Sequence, residues 1–221
     1  MRRGSAECAL TLLMLLLCGC SESSEGPDGP DGRAATASSP PVIADPAAAC
    51  QGGKPFSTGS APYEGPGPHK ALGFQLSDYD QEKYIAPDPP GLFPDAWAAN
   101  VEGTREVFHP SPGPADYQQA QLAVCMSGPR VTEKRAGVCS YGDTFSLVGT
   151  NDIGMITARY EFKVFEARTG KLLKAFTMDG AHFCPKKINF KGGQLIAQGT
   201  DNIRLEDELR PLIEGAAPPA Q

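Results

Sequence analysis

The chain is short of everything that usually announces chemistry. It holds three histidines and one tryptophan, so a Ser-His-Asp or Cys-His arrangement has only His69, His109 and His182 to draw on. His69 and His109 sit among prolines and glycines and read as exposed loop residues. The serine-elbow pattern G-x-S-x-G, the S-x-x-K pair, the zinc-protease H-E-x-x-H, the phosphate loop and the dinucleotide fingerprint are all missing. Basic residues are in the minority: 20 Lys and Arg against 26 Asp and Glu give a formal charge of −6. Phosphate binding needs a basic surface, so nucleic acid is excluded as the main partner. Nothing marks two of the acids as a glycosidic pair, and no cofactor signature is present. Long apolar runs are missing too. The stretch Ala9 to Leu17 is nine residues long, whereas spanning a bilayer takes about 20.

What is abundant is proline and glycine. Of 21 prolines, 16 precede residue 115, which puts irregular backbone in the first half and the dense core in the second. A length of 221 residues suits one packed domain with accessory segments. Met1, Arg2 and Arg3 followed by Ala9–Leu17 have the charge and length of a signal n-region and h-region. Leu17-Cys18-Gly19-Cys20 resembles a bacterial lipoprotein signal, with Cys18 at a position usually held by another small residue. The resemblance implies that residues 1–19 are removed, that Cys20 carries the lipid, and that Ser21 directs the chain to the outer membrane, facing the periplasm or the surface. An ordinary cleaved signal is the alternative. Each buried CH₂ contributes about 0.8 kcal/mol, so several acyl chains on Cys20 hold the chain on a bilayer where one does so marginally. Residues 20–49, with GPDGPDG, SSPP and ADPAAA, have almost no large apolar side chain and read as a disordered tether spanning about 30 Å.

With Cys8 and Cys18 in the signal and Cys20 lipidated, Cys50, Cys125, Cys139 and Cys184 remain. An even set in an oxidising compartment predicts disulfides, and four cysteines allow three pairings. The segment SGPRVTEKRAG between Cys125 and Cys139 is rich in turn formers and charge, which favours a bridge between these two across adjacent strand ends and leaves Cys50 for Cys184. A metal reading would start from His182 and Cys184, but no further pair of ligands accompanies them. Asp78, Asp80 and Glu82 alternate, yet they lack the glycine and terminal glutamate of a calcium loop and read as solvated acids.

Alternation of apolar and polar residues predicts an α+β, mainly β domain over residues 50–214: an antiparallel sheet of about five strands, disulfide-braced, with a short C-terminal helix. Tyr117–Met126 predicts a half-buried strand with Ala120, Leu122, Val124 and Met126 inward and Cys125 outward. Ala158–Val164 puts Tyr160, Phe162 and Val164 on one face, and Arg168-Thr169-Gly170-Lys171 turns the chain into Leu172–Met178, a hairpin. Ala71–Leu76, Phe145–Val148 and Leu195–Gln198, entered through Gly192-Gly193, are further short strands. Pro94–Ala99 reads as a helical turn with Trp97 as a core anchor. Asp201–Ile213 spaces Ile203, Leu205, Leu209, Leu212 and Ile213 for one helix face, with Asp201 as cap and residues 215–221 as a disordered tail.

Ala61-Pro62-Tyr63 with Pro66-Gly67-Pro68-His69, Leu122-Ala123-Val124-Cys125, Cys139-Ser140-Tyr141, Glu166-Ala167-Arg168-Thr169-Gly170-Lys171 and Cys184-Pro185 together resemble a domain of bacterial exported proteins and lipoproteins. The Pro/Gly segment around His109 to Pro114 departs from that pattern. The resemblance implies a disulfide-stapled exported architecture and nothing catalytic. The function expected is therefore that of a membrane-anchored, non-catalytic envelope domain that binds a protein or a small ligand, or braces an assembly. The alternative is a divergent envelope enzyme whose site no motif reveals.

Overall fold

Two long segments rich in β-branched and aromatic residues form the scaffold of the computed structural model, which describes residues 41–76, 80–85, 94–99, 112–142, 150–185 and 194–217. Strand β3, Leu122–Gly142, and strand β4, Thr150–Glu166, pair antiparallel from Leu122↔Glu166 to Gly142↔Thr150. The segment SGPRVTEKRAG, expected to be a loop, lies within β3 instead. Its glycines and proline are accommodated by register shifts between Ser127 and Arg130, Val131 and Arg135, and Arg135 and Gly137.

Strand β5, Leu172–Asp179, completes the expected hairpin, pairing antiparallel with β4 from Phe165↔Leu172 to Arg159↔Asp179. The turn closes through Gly170 N–H to Glu166 O at 2.9 Å, with the Thr169 hydroxyl donating to the Glu166 carboxylate at 2.7 Å. Gly170 is required on two counts: its φ is +72°, and a Cβ there would stand 2.1 Å from the Lys54 carbonyl oxygen. Strand β1, Ala71–Leu76, runs parallel to β3 over Leu122–Ser127. Strand β6, Leu195–Ala197, runs parallel to β4 at Met155 and Ile156, and β2, Tyr84–Ile85, runs parallel to β6. The sheet is thus mainly β as expected and mixed in direction, with order β1-β3-β4-β6-β2 and β5 beside β4. The central pairings are antiparallel, and the added short strands are parallel. The expected strand Phe145–Val148 and the Gly192-Gly193 turn lie outside the described residues.

Three helices pack on this sheet, among the described residues. Helix α1, Pro46–Cys50, begins at Asp45, whose carboxylate accepts the N–H groups of Ala47 and Ala48. Helix α2, Pro114–Gln119, has proline in its first turn and Asp116 accepting the Gly113 N–H at 2.7 Å. These start signals outweigh the alternation, so the expected strand Tyr117–Met126 divides into a helix and the beginning of β3. Helix α3, Asn202–Ile213, is capped as expected by Asp201, which accepts the Arg204 N–H at 3.2 Å. Leu205, Leu209 and Ile213 are its buried face, while Ile203 is 77% exposed. Its position at the second residue of the helix turns it to water instead of the sheet.

The sheet is covered on both faces, which explains the continuous apolar run Leu122–Met126. One face carries Leu122, Val124, Met126, Tyr160, Phe162, Val164 and Met178 against α3 and Trp97. The other carries Ala123, Cys125, Leu72, Phe74 and Phe165 against α1, Phe56 and Tyr117 of α2, with Phe56 stacked on Phe74 at 5.3 Å. Cys125, expected to face water, is 2% exposed in this second layer. The layer also moves the domain boundary. Ala44 N–H donates to Phe56 O at 3.0 Å, Ile43 bridges Ser57, and Ala49 is fully buried, so residues 41–49 belong to the folded unit and not to the tether.

Candidate functional site

All four cysteines of the folded part are joined, but in pairs other than those expected. Cys50 is bonded to Cys125, with Cα atoms 5.8 Å apart, and Cys139 to Cys184, 5.6 Å apart. The expected Cys125–Cys139 bridge is impossible because both residues lie on β3. Their partners on β4 are Lys163 and Ile153, so at about 3.3 Å of rise per residue they stand on the order of 30 Å apart, against the roughly 6 Å a disulfide allows. Cys50, Cys125 and Cys139 are buried, whereas Cys184 is exposed. Cys184 is consumed by its bridge, so the His182-Phe183-Cys184 segment offers no thiolate to a metal. Cys20 lies outside the described residues. No helix among the described residues is long and apolar enough to cross a membrane.

The polar centre of the fold is His69, which is fully buried rather than exposed as expected. Its Nδ1 lies 3.2 Å from Gln121 Oε1 and its Nε2 lies 3.1 Å from the Gly215 carbonyl oxygen. The Gln121 amide nitrogen donates onward to Pro62 O at 2.8 Å, and the Tyr63 ring meets the imidazole edge-on at 4.6 Å. Tyr63 donates its hydroxyl to Leu212 O at 3.0 Å, and burial raises its pKa above the usual phenol value. One histidine therefore joins the loop before β1, the entry to β3 and the end of α3. Gly215–Ala217, expected to be tail, is held as well, with Ala217 N–H donating to Gly65 O at 2.9 Å.

Beside this centre lies an open cleft of about 320 Å³ lined by Gly67, Pro68, Ala96, Trp97 and Glu214. The 3₁₀ turn Asp95–Trp97 presents the tryptophan, which is buried as expected of an anchor. Its indole N–H donates to Glu214 Oε1 at 3.1 Å, and the Arg210 guanidinium lies 5.4 Å from the ring centre while also reaching Glu214. The cleft offers an indole edge, a proline and a carboxylate already held by two donors. Such a lining suits an apolar group carrying a hydrogen-bond donor, and its volume is at the small end of ligand sites. Glu214 and Arg210 escaped the reading of the sequence. Their partner Trp97 is 117 residues away from Glu214, and the only clue was that a buried indole N–H needs an acceptor.

The remaining expected residues are dispersed. His182 is exposed, while His109 and Asp78 lie outside the described residues. Asp80 and Glu82 are exposed, and Asp80 accepts the N–H groups of Glu82 and Lys83 at 2.9 and 3.2 Å, folding its own turn. No protein-family model matches the sequence, and comparison with curated proteins returns no match.

Proposed function

We propose that this chain is an exported lipoprotein of the bacterial cell envelope, anchored through lipid on Cys20 to the outer membrane. In this reading its folded domain is non-catalytic and binds an envelope protein or a small ligand. The observation that carries the reading is covalent: Cys50, Cys125, Cys139 and Cys184 are all engaged in bridges. A full complement of disulfides belongs to an oxidising compartment, and the chain's own Leu17-Cys18-Gly19-Cys20 supplies the address to one. The proline-rich residues between Cys20 and Pro41 supply reach from the bilayer, and the Trp97–Glu214 cleft supplies a surface suited to a small group.

The test is intact-mass and peptide mapping of the chain expressed in a bacterial host. The mature N-terminal peptide should begin at Cys20 with diacylglyceryl and acyl chains attached. Cys20→Ala should lose the lipid and leave the membrane fraction. A product that keeps Met1–Gly19 and carries free thiols at Cys50, Cys125, Cys139 and Cys184 would overturn the reading.

A further inference from the structure

We infer that the Cys139–Cys184 disulfide is a thiol–disulfide exchange site, attacked at Cys184 Sγ by a dithiol reductant, and that its opening uncovers the apolar cluster it now closes. The two bridges stand in opposite surroundings. Cys50 and Cys125 are 4% and 2% exposed among Phe56, Leu72, Tyr117 and Phe165, where a thiolate cannot reach either sulfur. In the other bridge Cys139 is 1% exposed but Cys184 is open to solvent. Exchange requires a thiolate to approach a disulfide sulfur, so access decides which bridge reacts.

Among the described residues the segment carrying Cys184 has few backbone ties besides the bridge. Ala181 N–H donates to Gly199 O at 2.8 Å, and among the described residues His182, Phe183 and Cys184 have no backbone hydrogen bond. The His182 ring meets Gly137 through Cε1, 2.5 Å from where a Cβ would stand, so the contact exists only because residue 137 is glycine. Beneath this end of the sheet Cys139, Ile153, Met155 and Ile196 form a separate apolar cluster, with Ala136 and Tyr141 packed against it. The bridge is the covalent tie between β3 at this cluster and the chain that leaves β5.

In the exchange, a thiol of the reductant gives up its proton and bonds to Cys184 Sγ. The Cys139–Cys184 bond breaks, and Cys139 departs with the electron pair and takes up a proton. The reductant's second thiol then displaces Cys184 in the same way. The dithiol is oxidised to its own disulfide, and the cystine is reduced to two thiols.

Neither step depends on the lipid anchor, so failure of the proposed location would leave the site standing. The test uses the purified native chain under graded dithiothreitol, with quenching by iodoacetamide and peptide mapping. Cys139 and Cys184 should acquire label on the order of tenfold faster than Cys50 and Cys125. Equal rates, or earlier opening of Cys50–Cys125, would overturn the assignment. Hydrogen exchange after selective opening should rise at Gly154–Ile156 and Leu195–Ala197 while β5 stays protected. Unchanged exchange in those residues would refute the uncovering, and a Cys139→Ala/Cys184→Ser double variant should show the same rise with no reductant present.

Discussion

At the scale of single residues, stability concentrates where one side chain serves several segments. His69→Ala would leave Gln121 Oε1 and the Gly215 carbonyl without the imidazole they now face. A single imidazole N–H serves one of these acceptors at a time, so the variant abandons one at about 1–3 kcal/mol. It also empties the site of a fully buried ring, and urea denaturation should show a loss of several kcal/mol. A loss near zero would mean that the node contributes nothing. Trp97 separates packing from hydrogen bonding. Trp97→Phe removes the indole donor to a Glu214 that remains open to water and part of the buried ring, for about 1–3 kcal/mol, whereas Trp97→Ala should cost about 3–5 kcal/mol. Burial raises the pKa of Tyr63, Tyr117 and Tyr141, with the charges of Asp116 and Asp45 adding to the rise at Tyr117. For such groups the native state holds its protons longer than the unfolded chain. Their contribution is complete below the ordinary phenol value of about 10 and is lost as pH climbs through the raised native values. Absorbance near 295 nm should show delayed titration, with unfolding setting in above about pH 10.

At the scale of elements, α3 is the clearest test of how the sheet is closed. Leu209 is fully buried between α3 and the face carrying Tyr160 and Phe162, so Leu209→Ala should cost about 2–5 kcal/mol. Ile203→Ser, on the same helix but exposed, should stay within about 0.5 kcal/mol. Comparable losses from both would contradict this docking. The same contrast shows what the sequence made legible. The β4–β5 hairpin could be read because strict alternation and a Thr-Gly turn lie within one short window, and Asp201 could be read as a cap because its partner is three residues on. The length of β3 could not, because Gly128, Pro129 and Gly137 punctuate it as they would a loop, and only pairing with β4 holds those residues in a strand. The parallel pairings of β1 and β6 were hidden for a related reason: partners such as Ala71 and Leu122 are far apart in the chain, and local patterning carries no direction. His69 looked like a loop histidine because everything that buries it is distant in sequence.

At the scale of the whole molecule, the two bridges divide the labour of closure between the ends of the sheet. Cys50–Cys125 spans 75 residues and ties α1 to the doubly covered first end of β3, while Cys139–Cys184 spans 45 and ties the far end of β3 to the chain beyond β5. Chain entropy alone makes the two nearly equal, at about 4.5 and 4 kcal/mol, because closure cost grows only with the logarithm of loop length. Their surroundings differ far more than their loops do. Replacing Cys50 and Cys125 by alanine also leaves space among Phe56, Phe74 and Phe165 in the second layer, so the loss should exceed the entropic figure. Replacing Cys139 and Cys184 disturbs a small cluster and removes a Cys184 that is itself exposed, so the loss should stay near or below it. Thermal unfolding of the two double variants should therefore rank them, with Cys50→Ala/Cys125→Ala the less stable by more than the half kcal/mol or so that loop length predicts. The reverse order would mean that the distal clasp, and not the buried bridge, holds the sheet together.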